Sequence, residues 1–142
     1  MNETPSSRRM GRRIGAVLAG FVVGVILSLG TDIVLHATGV FPPWGQAMSD
    51  PLFLLATAYR IVYNIAACYI IARLAPDQPI RHALIGGAIG LVLSTVGAVV
   101  TWNKGPEFGP HWYPLALVFT ALPTAWVGGK LRIMQLHGRS AE

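Results

Sequence analysis

Residues 14–35 read IGAVLAGFVVGVILSLGTDIVL, and this stretch decides the fold. Asp32 is its only charged residue. A helix of this length rises about 33 Å at ~1.5 Å per residue, enough to cross the ~30 Å hydrocarbon core of a bilayer. A backbone removed from water must satisfy its own polar groups, so such a segment is expected to cross as an α-helix. Three further stretches of similar length and character follow, at 51–74, 80–102 and 112–133.

Little sequence remains outside these spans. The 142 residues are 53% hydrophobic and 12% charged, whereas soluble domains carry about 25% charged residues. Residues 1–142 therefore read as a single membrane domain, an all-α, integral membrane four-helix bundle with the lipid bilayer as its first partner. The net charge of +5 does not indicate nucleic acid, because its distribution is topological. Arg8, Arg9, Arg12 and Arg13 precede span 1, Arg73 and Arg81 flank the connection between spans 2 and 3, and Lys130, Arg132 and Arg139 follow or close span 4. Short basic segments stay on the cytoplasmic side, so both termini are predicted to be cytoplasmic, in a cytoplasmic or bacterial inner membrane. The same basic flanks suit anionic lipid head groups. Span 1 is longer than the apolar region of a signal peptide and is read as a retained helix. The one cysteine, Cys68, excludes an internal disulfide and a thiolate cluster, and reads as a small buried hydrophobe.

The two hairpins resemble each other. A shift of 66 residues aligns 19–30 (AGFVVGVILSLG) with 85–96 (IGGAIGLVLSTV), and a shift of 63 aligns 51–63 (PLFLLATAYRIVY) with 114–126 (PLALVFTALPTAW). Segments 14–74 and 80–133 are thus expected to be parallel repeats of a transmembrane helical hairpin about an axis along the membrane normal. Gly20, Gly24 and Ser28 recur every fourth residue in span 1, as do Gly86, Gly90 and Ser94 in span 3. Small residues let helix backbones approach in lipid, so spans 1 and 3 are expected to meet along these faces, within one chain or across a dimer. A homo-oligomer or a place in a larger membrane complex is the corresponding partner expectation.

The repeats differ where they carry polar groups. Asp32 aligns with Ala98, His36 with Trp102, and Arg60 with Pro123. Asp32 lies one turn before the outer end of span 1, and Arg60 lies ~13 Å into span 2 from the outside. Side chains lean toward the helix N-terminus, which turns Arg60 outward toward Asp32. A lone ion in hydrocarbon costs at least about 2.5 kcal/mol, so the two are expected to pair. Asn64 shares a helical face with Arg60, and Tyr59 and Tyr63 form an offset pair. Histidine changes charge near neutral pH, and arginine stays cationic and grips anionic groups. Asp32, His36, Arg60, Tyr59, Tyr63 and Asn64 are therefore the ligand or ion-coupling candidates. The bland reading of the same residues is a clasp that pins two helices.

The outer connections, VFPPWG at 40–45 and WNKGPEFGPHWYP at 102–114, carry turn-forming Pro and Gly with Trp44, Trp102 and Trp112 at head-group depth. Asp50, Glu107 and His111 fall on this side as secondary candidates. Their spacing matches no metal motif and no catalytic motif, so neither a metal, a cofactor nor a catalytic residue is assigned. Gly128 and Gly129, ahead of Lys130 and Arg132, read as the cytoplasmic end of span 4 or the start of a short juxtamembrane helix. The main functional expectation is an outward-facing polar site for a small solute, an anion or proton-linked transport. An accessory or assembly subunit of a larger membrane complex is the alternative, followed by a membrane-embedded enzyme or sensor. In size and span count the chain is similar to very small multidrug or fluoride transport proteins, a likeness of architecture without shared motifs.

Overall fold

The computed structural model describes residues 5–142 as four long helices: α1 (Pro5–Ala37), α2 (Asp50–Leu74), α3 (Pro79–Thr101) and α4 (Trp112–Ser140). A 3-10 turn, Pro106–Phe108, lies in the connection between α3 and α4. All four helices are long and apolar enough to cross a membrane. The limits of α2 and α3 fall within a residue of the expected spans, whereas α1 starts well before its span and α4 runs well past its own. Nothing between residues 5 and 13 stops a helix: Pro5 sits in the first turn, where its missing N–H costs nothing, and arginine is a good helix former. Arg8, Arg9, Arg12 and Arg13 are thus carried on a rigid extension of α1. The helix ends where Gly39 turns to a positive φ of 77° and two prolines follow.

The buried residues are small. Cys68, Ala72, Ala83 and Ala125 form the central cluster, while Leu18, Val22, Ile26 and Phe119 are among the many large apolar side chains left on the outside. Lipid is as apolar as leucine, so the helices gain by close backbone approach rather than by burying bulk. Gly128 is the clearest case. A Cβ there would stand 2.7 Å from both the Ile65 carbonyl oxygen and the Tyr69 nitrogen. Gly129 meets Ile80 and Ala83 in the same way, and Gly87 meets Ala125. Gly128 and Gly129 therefore do not interrupt α4, which continues to Ser140. Helix α4 passes straight through them because they are its points of contact with α2 and α3.

Helix α2 touches the other three, α4 packs closely on both α2 and α3, and α1 rests on α2 and more lightly on α3. The α2–α3 contact has no comparable α1–α4 counterpart, so the packing departs from a pseudo-two-fold arrangement of equal hairpins. The glycine rows of α1 and α3 do not interlock within the chain either. The Ile71 side chain stands at both Gly20 and Gly86, with its atoms 2.3 Å and 2.5 Å from where their Cβ atoms would be. Among the described residues, Ile71 is the one large side chain that is fully buried. Farther outward, a Cβ at Gly24 would touch only Ala67, at 3.3 Å, and one at Gly90 would meet nothing. The two rows diverge from Ile71 toward the outer side.

Arg13 Nη2 lies 2.7 Å from Asp77 Oδ2, which ties α1 to the α2–α3 connection. The hydrogen bond from Arg13 holds the Asp77 carboxyl below its ordinary value. A lowered carboxylate stabilises the fold above its unfolded value of about 3.9, and that contribution disappears as pH falls through the folded value. Asp77→Asn is accordingly expected to lower thermal stability at pH 7 and to match the parent protein in strong acid. An unchanged difference across that range would disprove the linkage.

Candidate functional site

Asp32 occupies the outer part of α1 and is buried, with a residual exposure of 8%. Arg60, on α2, donates from Nη2 to Asp32 Oδ2 at 2.6 Å and from Nη1 to the Tyr59 hydroxyl at 3.0 Å. Tyr59 in turn donates to Asp32 Oδ1. The three groups close a ring: each carboxylate oxygen has a donor, and the guanidinium has its counter-ion. Charge-assisted bonds of this kind are roughly twice as strong as neutral ones. The guanidinium also lies 5.1 Å from the Tyr59 ring centroid, within range of the ring's quadrupole.

Asp32 and Arg60 border two spaces. One is a vestibule of about 160 Å³, bordered by His36, Phe41, Trp44, Gln46, Glu107 and Tyr113 as well as by the pair. The other is a cavity of about 420 Å³, reached by Tyr63 and Asn64 and walled by Gly24, Ser28, Gly90 and Ser94. Both spaces have Asp32 and Arg60 in their lining. The remaining polar groups are anchored to the scaffold. Tyr63 and Thr31 share a hydroxyl–hydroxyl bond of 2.7 Å between α2 and α1, and Asn64 donates to Thr124 on α4.

His36 is held by the turn that follows α1. Its Nδ1 donates to the Pro42 carbonyl at 2.6 Å, and its ring stacks on Trp44 with centroids 3.7 Å apart. A carbonyl only accepts, so Nδ1 carries a proton, and in the neutral ring Nε2 is the acceptor. The proline pair in VFPPWG therefore orients the imidazole as well as stopping the helix. Trp44, which the sequence suggested as a head-group anchor, also forms one side of the vestibule.

The secondary candidates separate. Glu107 borders the vestibule. His111 instead stacks on Trp102 at 4.1 Å and donates to the Trp102 carbonyl, bracing the α3–α4 connection. Asp50 opens α2 as an exposed residue, where its charge suits the helix dipole. Sequence reasoning missed Phe41, Gln46, Met48 and Tyr113 on the vestibule wall. It also missed Thr31 and Thr124 as the partners of Tyr63 and Asn64. Tyr113 is placed by contact with Phe53, at 5.0 Å between ring centroids, and Phe53 fills the space beside Gly109. Gly109 has φ 94° and leaves no room for a Cβ, because Phe53 carbon atoms would lie within 3.1 Å.

The arrangement combines a neutralised ion pair, an oriented imidazole and an aromatic wall at the outer ends of three helices. The class it defines is a small multi-pass membrane protein with a polar cluster between two cavities. Compared with known proteins, the chain matches no family model, no characterised protein and no solved structure.

Proposed function

We propose that this protein binds a small solute at Asp32, His36 and Arg60 and passes it between the outer vestibule and the cavity within the membrane. One observation carries the reading: Asp32 and Arg60 border both spaces. A purely structural clasp needs no cavity on either side. In this reading a solute moving from one space to the other passes the pair. A group that competes for the Arg60 guanidinium, or a proton taken up by Asp32, breaks the bond between them and opens the passage. His36 offers Nε2 as a polar contact on the outer side, while Tyr63 and Asn64 serve the inner side.

Asp32→Asn tests this directly, because the amide keeps one acceptor oxygen where the carboxylate has two and loses the charge. Liposomes containing the purified protein and an enclosed pH-sensitive dye are challenged with a panel of small carboxylates and amines. Losing a charge-assisted hydrogen bond is worth ~1.5–3 kcal/mol, so uptake is expected to fall about tenfold or more. Uptake equal to that of empty liposomes, or unaffected by the substitution, rejects the proposal.

In orientation, the proposal places the vestibule outside and the basic helix extensions in the cytoplasm of an inner-membrane protein. A cysteine introduced at Ser140 in a Cys68→Ala background is expected to react with impermeant maleimide only after the inner face is opened. Labelling from the outside of intact cells would invert the topology. The accessory-subunit reading draws on a different feature, the thin packing of α1, which leaves Leu18, Val22, Ile26 and Ile33 exposed. That reading requires crosslinks from α1 to a partner helix in native membranes.

A further inference from the structure

We infer that the inner cavity receives an uncharged amphiphile from the bilayer, with its hydrogen-bonding head at Asp32–Arg60 and its apolar body beside Gly24 and Gly90. The inference deepens the solute-binding reading above and rests on it, since it names the class of molecule taken by the same residues.

Three features of the cavity point the same way. Its volume, about 420 Å³, falls in the ~300–1,000 Å³ range of small-molecule sites, and its lining is mostly apolar with a few polar groups, as such sites require. Its shape is a wedge. Ile71 closes the narrow inner end by filling the space at Gly20 and Gly86, and the rows then diverge until Gly90 faces open space. Its wall is open on the lipid side, because the lining residues Val25 and Leu29 are 51% and 54% exposed and α1 packs only lightly on α3. A molecule dissolved in the membrane reaches the cavity between these helices without crossing the Asp32–Arg60 pair. A water-borne solute in the vestibule must cross it.

The charge of the head group follows from the pair. Asp32 and Arg60 compensate each other, so a ligand that brings a net charge leaves one ion uncompensated in a low-dielectric site. A hydroxyl, amide or carbonyl head adds hydrogen bonds and no charge. Beyond Asp32 and Arg60, none of the described residues that line the cavity carries a charge to balance an ionic head.

The test uses the full chain in lipid nanodiscs and a diazirine-bearing short-chain aliphatic alcohol as photoprobe. Labelling is expected on residues 24–29 or 90–94, and the parent alcohol should displace it more effectively than the alkyl carboxylate or alkyl trimethylammonium of equal length. Gly90→Leu is expected to cut labelling about tenfold or more, as for extra methylenes in a filled hydrophobic pocket, with thermal unfolding unchanged because a Cβ at Gly90 meets nothing. Gly90→Val supplies a smaller plug should leucine disturb the helix. Label spread over the lipid face of α1 and indifferent to residue 90 overturns the cavity assignment. Equal displacement by the charged analogues overturns the uncharged class. Saturable cavity labelling without Asp32-dependent uptake retains the amphiphile site and rejects solute passage. Asp32-dependent uptake of a water-soluble solute without cavity labelling does the reverse.

Discussion

Asp32→Ala is expected to destabilise the folded protein by about 3–5 kcal/mol, the cost of leaving one member of a buried ion pair alone, and to do so more severely than Arg60→Met. The asymmetry is chemical. Without Arg60, the carboxyl of Asp32 can take up a proton and survive as a neutral acid bonded to Tyr59. Without Asp32, the Arg60 guanidinium has no neutral form to adopt and retains only the Tyr59 hydroxyl and the Ala56 carbonyl as partners. The double variant removes both charges and is expected to recover most of the loss, since a buried pair replaced by apolar groups is often neutral in stability. Equilibrium unfolding in bicelles measures all three. Equal losses for both single variants would show that the pair is already solvated and that its burial carries no energetic weight.

Gly128→Ala is expected to cost about 1–3 kcal/mol, the range found for forced overpacking. The new methyl would sit 2.7 Å from two backbone atoms of α2, and a backbone does not move aside as a flexible side chain does. Helices α2 and α4 must separate, which also draws Thr124 away from Asn64. Gly90→Ala adds the same methyl to an equally helical position and is expected to be neutral or slightly stabilising, because the space is open and alanine is the better helix former. Paired thermal melts in the same detergent distinguish the two. A Gly128→Ala variant as stable as Gly90→Ala would mean that the α2–α4 contact is not tight.

The polar cluster was partly legible before any coordinates. Asp32 and Arg60 stood out because each is costly in an apolar run, and the lean of side chains along a helix brought them together. Tyr59 and Tyr63 were found as neighbours of Arg60, but their separate tasks were not evident: one braces Asp32 and the other binds Thr31 across the helix pair. The vestibule wall was legible only in part, through His36 and Glu107. Phe41 and Tyr113 lie far apart in the chain and meet the site only through the folding of two outer connections. The glycines were legible as packing residues but not as to their partners. Fourfold spacing marks a face of a helix without saying what it meets, so the rows of α1 and α3 suggested each other, while Ile71 of α2 stands at both.

The sequence by itself determined the four helices, the limits of α2 and α3 to within a residue, and the position of the charged residues along the spans. Hydrocarbon allows an uninterrupted apolar segment no other way to satisfy its backbone, so these properties are local. Tertiary structure alone decided that α1 packs thinly, that Gly128 is a point of contact with α2, and that Asp32 and Arg60 border two cavities. Each depends on which faces meet and what volume is left between them. Close packing in lipid is decided atom by atom through such contacts, and a one-dimensional pattern of small residues does not encode them.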